Sequence, residues 1–298
     1  MTDALFINKP IEIATKSIED ESIDLVVTSP PYNIGKEYEK ERRLSLDEYI
    51  DWLEVIIKEI EPKLSKSGSI VWQTGNHVSD TEIFPLDILT YPIFKKLGFK
   101  LRNRVIWQFN FGLHAQKRLS GRYETALWFT RSDEYTFNLD PIRVPQLYPG
   151  KRKSNADGGK LSGNPKGKNP SDFWEFSAEE FFRNEPIWKI PNVKSNHVEK
   201  TSHPCQFPFA LAERFILACS NPGDTILDPF LGSGTTVLAA YANGRNSIGV
   251  DLDKNYIKIS KARLEELKKG TLRIRPGYKN VIKPNKKQKV AKVPDEWL

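Results

Sequence analysis

The sequence predicts an α/β fold: a doubly wound, twisted and mostly parallel sheet of the Rossmann-like kind. Three observations carry that reading. Strand-like runs alternate with helical periodicities through the first half of the chain. A glycine-containing turn, Asp228-Pro229-Phe230-Leu231-Gly232-Ser233-Gly234-Thr235-Thr236, sits between a strand and a helix, and the strand that follows ends at Asp251. Between the two halves, from about 138 to 200, the periodicity fades.

Taken in order, Ile23 to Val27 is a strand-like run that opens onto Ser29-Pro30-Pro31-Tyr32. Ser45 to Ile60 is a helix. Ser45 and Glu48 have capping-box spacing, and Tyr49, Leu53, Ile56 and Ile60 share one face. Pro62 and Gly68 punctuate its exit. Ser69 to Gln73 is the next strand, Pro85 to Leu97 contains a second helical segment closed by Gly98, and Val105 to Phe109 and Glu124 to Thr130 are two further strands. The rhythm resumes near Thr201. Phe207 to Cys219 is helical, Asn221 to Asp224 is a turn, and Thr225 to Leu227 is the strand leading into the glycine turn. Thr235 to Asn243 is a helix with Gly244 suited to its C-terminal cap, Ser247 to Val250 is a strand, and Asn255 to Lys269 is the last helix.

The middle of the chain differs in composition. Residues 149–170 are rich in Pro, Gly, Asn, Lys and Ser, with Asp157 the single acid. Aromatics return at Phe173, Trp174, Phe176, Phe181, Phe182 and Trp188. An inserted lobe carrying a basic loop is expected. The chain therefore divides into a first half at 1–137, an insertion at 138–200, a second half at 201–270 and a basic tail at 271–298.

At 298 residues the chain can bury one large core, with or without an inserted lobe. Its net charge of +7 fits a polyanionic partner without requiring one. Two cysteines, Cys205 and Cys219, argue against a disulfide framework or a structural zinc site. The start carries no secretory leader pattern, and no run approaches the roughly 18 apolar residues of a membrane span. A cytoplasmic setting is expected.

Two motifs carry chemistry. In Ser29-Pro30-Pro31-Tyr32, a polar side chain, a rigid backbone and an aromatic face at the mouth of a strand suit the amino group of a flat nucleobase. In the second motif, Gly232 and Gly234 let the backbone come close to a ligand. Asp251 follows Gly232 by 19 residues, near the ~20 at which a carboxylate meets ribose hydroxyls. The third glycine of a dinucleotide fingerprint and the lysine of a P-loop are both missing, which counts against NAD and ATP. Asp228, directly after its strand, suits an ammonium group of an amino-acid-bearing cofactor. On spacing alone, a βαβ turn with no ligand stands as an equal alternative.

Together the two motifs make the chain resemble the DNA amino-methyltransferases, which move a methyl group from S-adenosyl-L-methionine to the exocyclic amine of cytosine or adenine. The family's catalytic motif, Ser/Asp/Asn-Pro-Pro-Tyr, is matched by Ser29 to Tyr32. Its cofactor motif is matched at every fixed position from Asp228 to Thr236. A third signature, His-Pro-x-x-x-Pro, is matched by His203, Pro204 and Pro208, and the family's hairpin strand resembles Tyr123 to Thr130. The resemblance departs at Lys9-Pro10, where many relatives carry Gly-Asp. It implies a Rossmann-like methyltransferase fold with one antiparallel strand. The order of motifs implies the circularly permuted β arrangement, in which the insertion is the target-recognition region.

The resemblance also implies roles. Ser29 and the Pro30 carbonyl would accept hydrogen bonds from the amine, Pro31 would stiffen the loop and Tyr32 would stack on the base. Asp228, Pro229, Phe230, Gly232, Gly234, Thr235, Asp251 and His203 would hold the cofactor. The target base would be flipped out of double-stranded DNA. Arg143, Lys151, Arg152, Lys153, Lys166 and Lys168 could hold phosphates, though each alone also reads as a solvated surface charge. No metal is needed. Ser at position 29 is associated with cytosine N4; adenine N6 is the nearest alternative. An RNA methyltransferase or a non-catalytic, sequence-reading DNA-binding protein are the others. A restriction-modification setting is implied, with a cognate endonuclease as a functional partner, and relatives often form homodimers.

Several residues invite other readings. Pro204-Cys205-Gln206 spells the tripeptide of the cytosine-C5 enzymes, but it precedes the cofactor motif and lies inside the His-Pro signature, so a helix entry is the simpler role. His77, His114 and His197 lack metal-ligand spacing. Trp52, Trp72, Trp107 and Cys219 read as packing. Trp174 and Trp188 read as the core of the insertion more than as DNA contacts.

Overall fold

A computed structural model describes residues 2–36, 44–79, 82–109, 114–145, 164–174, 190–194 and 197–276. In chain order the elements are β1 (Ala4–Ile7), α1 (Ile11–Ala14), β2 (Ile23–Thr28), α2 (Leu46–Ile60), β3 (Leu64–Thr74), β4 (Asn76–Ser79), β5 (Glu82–Pro85), α3 (Leu86–Lys96), β6 (Lys100–Gln108) and β7 (Tyr123–Thr130). They continue with β8 (Phe173–Trp174), α4 (Phe209–Cys219), β9 (Thr225–Asp228), α5 (Thr235–Ala242), β10 (Asn246–Val250) and α6 (Lys254–Lys268).

Eight strands form one mixed sheet in the order β1-β10-β9-β2-β3-β7-β6-β8. Every pairing is parallel except those of β7, which runs against both β3 and β6. The sheet is covered on both faces, and its central strands alternate between two cores. Leu25 and Val27, Val71, and Ala126 and Trp128 join the core that includes α4 and α5 residues. Val26, Ile70 and Trp72, and Leu127 and Phe129 join the core that includes α2 and α3 residues.

Local chemistry sets the helix ends. Ser45 Oγ accepts from the Glu48 N–H at 3.3 Å, and Glu48 Oε2 accepts from the Ser45 N–H at 2.8 Å, the reciprocal box expected from the spacing. The expected strands and helices are all present. Several features lie outside the expectation, α1 and the early start of β6 at Lys100 among them. β1 is only four residues long and gains its partners from β10, at the far end of the chain. β3 starts at Leu64, well before Ser69. A small hairpin, β4–β5, precedes α3.

Within 138–200, the described portions pack onto the main sheet. β8 pairs with β6, and Ile142, Trp174 and Ile190 join the α4 core. Trp174 packs against Phe215, tilted, at 4.6 Å between centroids, with the Arg214 guanidinium over its ring at 4.2 Å. Trp72, Trp107 and Cys219 are buried as packing residues. Phe176, Phe181, Phe182 and Trp188 lie outside the described residues. No helix among the described residues is long and apolar enough to cross a membrane.

Candidate active site

β2 and β9 are parallel neighbours, paired through Leu25–Ile226 and Val26–Leu227, so their carboxyl ends open at one edge of the sheet. Ligands of open α/β sheets bind outside that edge. Ser29 to Tyr32 leaves the end of β2, and the glycine turn leaves the end of β9. Both line one cavity of about 1190 Å³.

On the β2 side, Ser29, Pro30, Pro31 and Tyr32 face the cavity. The Tyr49 hydroxyl donates to the Pro31 carbonyl at 2.6 Å, which fixes the loop onto α2. On the β9 side, Pro229, Phe230, Gly232, Thr235 and Asp251 line the cavity, with His203 beside them. The glycine turn is held from beneath by α6: Ser260 Oγ donates to the Gly232 carbonyl at 3.0 Å, and Arg263 donates to the Ser233 carbonyl at 2.6 Å. Gly232 has φ +49°, and a Cβ there would meet His203 Nε2 at 3.0 Å. Gly234 has φ +81°, and a Cβ there would meet Ser260 at 2.7 Å. Both positions need glycine for conformation and for room.

Two expected cofactor residues, Asp228 and Gly234, lie beneath the cavity wall rather than on it. Asp228 is 1% exposed. Its Oδ1 accepts from Thr28 Oγ1 at 2.7 Å and from the Phe230 N–H at 3.2 Å, while Oδ2 has no hydrogen-bond partner. Burial pushes its carboxyl up to about 6, against those hydrogen bonds. Asp251 is also pushed up to about 6 by burial, although its oxygens accept from the Asp253 and Gly232 N–H groups at 2.8 Å each. Burial lowers His203 to about 4, so its imidazole is neutral near pH 7. The ring lies edge-on to Tyr256 at 4.5 Å.

Three contributions escaped the sequence reading. Lys9 to Ile13 line the cavity, carried there by β1, and Asn8 Nδ2 donates to the Asp251 and Leu252 carbonyls at 2.9 and 2.8 Å. Trp52 packs on Phe230 at 5.6 Å and also lines the wall. Gln73 and Glu124 hold the Tyr32 hydroxyl from behind, at 2.9 and 3.4 Å. The signal for the last pair was available: each is a polar residue in a strand that otherwise reads as apolar. Among the described residues, no cluster of His, Cys, Asp and Glu could hold a metal ion.

Of the basic residues, Arg143 donates to Asp140 Oδ1 at 2.7 Å and to the Gly167 carbonyl at 2.8 Å. Lys166 pairs with the other oxygen of Asp140. Lys168 is exposed, and its backbone bridges Val144. Lys151, Arg152 and Lys153 lie outside the described residues.

The α/β sheet with one reversed strand carries, at the carboxyl ends of β2 and β9, a cavity walled by a Ser-Pro-Pro-Tyr loop and a glycine turn. Over residues 23–262 the chain matches the N6/N4 family model described as DNA methylase, and it belongs to that family. It is 46% identical over 245 residues to the Type II methyltransferase M.BglII of Bacillus subtilis, covering 82% of this chain and 64% of that protein. It therefore spans less than two thirds of that relative. It is 40% identical over 252 residues to the Type II methyltransferase M.ScaI of Streptomyces caespitosus, covering 84% and 77%. It is 36% identical over 260 residues to the DNA adenine methyltransferase YhdJ of Escherichia coli K12, covering 84% and 79%. Its fold is similar to that of the cytosine-N4-specific PvuII DNA methyltransferase, with a TM-score of 0.66 at 20% identity over 91% of this chain and 93% of that one. It is also similar to M1.HpyAVI in complex with S-adenosylmethionine, with a TM-score of 0.55 at 22% identity over 88% and 100%.

Proposed function

We propose that the protein is an S-adenosylmethionine-dependent DNA methyltransferase that modifies the exocyclic amine of a flipped-out base, N4 of cytosine. The observation that carries this is the meeting of Ser29 to Tyr32 with the glycine turn and Asp251 in one cavity. The residues fit the cofactor. Gly232 leaves space that a Cβ would take from His203. Asp251 lines the wall, and its carboxylate is the acceptor that ribose hydroxyls require. Asp228 lies beneath the wall, where it braces the end of its strand through Thr28 and the Phe230 N–H and so supports the turn that faces the cofactor.

When bound, S-adenosylmethionine supplies an electrophilic methyl group on a sulfonium. The chain's own residues prepare the nucleophile. An exocyclic amine is a poor nucleophile because its lone pair is delocalised into the ring. Ser29 Oγ and the Pro30 carbonyl accept its two hydrogens, favouring a more tetrahedral nitrogen. Tyr32 stacks on the base, generally worth ~1–3 kcal/mol. The remaining work is alignment.

The motif order, with the catalytic strand early in the chain and the glycine turn late, supports the permuted β arrangement. Residues 138–200 serve as the target-recognition region. Double-stranded DNA is the partner, a cognate endonuclease acts on the same sites, and a homodimer follows the family pattern. Adenine N6 is the second reading, favoured by the identity to a DNA adenine methyltransferase. Incubation with labelled cofactor and methylation-free DNA, digestion to nucleosides and mass spectrometry decide between them. N4-methylcytosine supports the first reading and N6-methyladenine the second. Ring-carbon methylation would return attention to Cys205 and overturn both.

A further inference from the structure

The Tyr32 hydroxyl has more partners than a stacking face requires. It lies 3.0 Å from Ser29 Oγ, 2.9 Å from Gln73 Oε1 and 3.4 Å from Glu124 Oε2, and Gln73 Nε2 donates to the same Glu124 oxygen. Four side chains from three places in the chain, β7, β3 and the loop after β2, therefore form one run of hydrogen bonds. The ring is closely seated as well: a Cβ on Gly75 would meet it at 3.0 Å.

The direction of that run can be counted out. An ionised carboxylate only accepts, a glutamine amide has one donating and one accepting end, and each hydroxyl has a single proton. Ionised Glu124 takes the Nε2 end of Gln73, which turns Oε1 towards Tyr32. The Tyr32 proton then goes to Gln73 or to Glu124, both acceptors, and none remains for Ser29. Ser29 must donate its own proton to the Tyr32 oxygen. What Ser29 Oγ retains on the cavity side is accepting capacity alone.

We propose that Glu124 is a positioning residue that, through Gln73 and Tyr32, makes Ser29 an obligatory acceptor and so selects a base presenting an amine over one presenting a carbonyl. The selectivity rests on the base-methylation reading above; the hydrogen-bond relay does not.

Protonation of Glu124 would give it a donor and release the direction. Burial raises this carboxyl to about 7, with the charge of Lys194 and the hydrogen bonds of Gln73 and Tyr32 opposing the rise. Burial, then the charge of Glu124, and Cys205 beside it hold Tyr32 well above its ordinary range, against the hydrogen bonds of Ser29 and Gln73, so it stays neutral. The enforced direction is thus present above about 7 and lost below it.

Two titrations test this. In protein labelled with nitrogen-15 in glutamine side chains, the Gln73 amide signal should move with a midpoint near pH 7, and Glu124→Gln should abolish that movement. Methyl transfer should rise through the same midpoint. Glu124→Gln should lower kcat about tenfold and flatten the pH limb, with cofactor affinity held within about twofold. In a Ser29→Ala background the same change should add less than about twofold. A Gln73 signal that does not titrate overturns the proposal, as does an equal effect of Glu124→Gln with and without Ser29. Should the wild type methylate no DNA while Gln73 still titrates with Glu124, the base-methylation reading falls and the relay stands.

Discussion

Thr28 and Asp228 lie 200 residues apart in sequence and share a buried hydrogen bond of 2.7 Å. It joins the strand that presents Ser29 to the strand that presents the glycine turn, at the point where the two diverge around the cavity. Thr28→Val keeps the shape and removes the donor, leaving a buried carboxylate with less support. The expected loss is about 1–3 kcal/mol, read as a lower midpoint in urea unfolding. An unchanged midpoint would mean that the bond does not hold the two strands.

Asp228 should make the fold pH-sensitive. Its folded carboxyl sits at about 6, above the ordinary 3.8, because it is buried. The fold therefore keeps a proton that the unfolded chain gives up. This stability is fully present below about pH 4, declines as pH rises to about 6 and stays absent above. From 3.8 to about 6, the cost is on the order of 3 kcal/mol. Asp228→Asn should melt higher than the wild type at about pH 8 and equally near pH 4, while binding S-adenosylmethionine more weakly. Calorimetric binding together with thermal melting at both pH values checks the exchange of stability for affinity.

Gly232→Ala places a side chain at φ +49° and against His203 Nε2. The left-handed conformation alone costs about 1–2 kcal/mol. The larger expected effect is on the cavity: cofactor affinity should fall by more than the loss in folding stability accounts for. Equal affinity in a folded Gly232→Ala protein would remove the glycine turn from the site.

Trp174 separates packing from DNA contact. It is 8% exposed, packed against Phe215, with its indole N–H donating to the Ser171 carbonyl at 2.9 Å. Trp174→Phe should retain most of the stability, whereas Trp174→Ala should cost about 3–5 kcal/mol. The affinity of the folded Trp174→Phe protein for non-specific DNA should match the wild type. A selective loss of DNA binding would assign the indole to the nucleic acid.

Lys168 is an exposed basic residue of the insertion that, unlike Arg143 and Lys166, makes no ion pair with Asp140. If it holds a phosphate, Lys168→Ala should weaken DNA binding evenly across sequences and reduce the slope of log K against log salt by about 0.9. Arg143→Ala should instead lower stability, since that side chain bridges Asp140 and Gly167. A normal salt slope for Lys168→Ala would return it to the solvated surface.

Much of the fold was legible in the residues. The strand at Ile23, the capped helix from Ser45 and the glycine turn before Thr235 are written in short-range terms: alternation, capping chemistry and backbone freedom. The elements that were not foreseen are those whose stability is borrowed. β1 has four residues and no pattern of its own, and it exists because β10 offers a paired edge. The carriage of Lys9 to Ile13 to the cavity follows from that pairing.

By itself, the sequence determined most of the strands and helices and set the two motifs at the ends of their strands, because those depend on neighbours a few residues apart. Only the tertiary structure decided that Tyr32 meets Gln73 and Glu124, 41 and 92 residues away, and that Asp228 lies under the cavity wall rather than in it. Those contacts depend on strand order and register across the sheet, where a shift of one residue would turn each side chain to the opposite face.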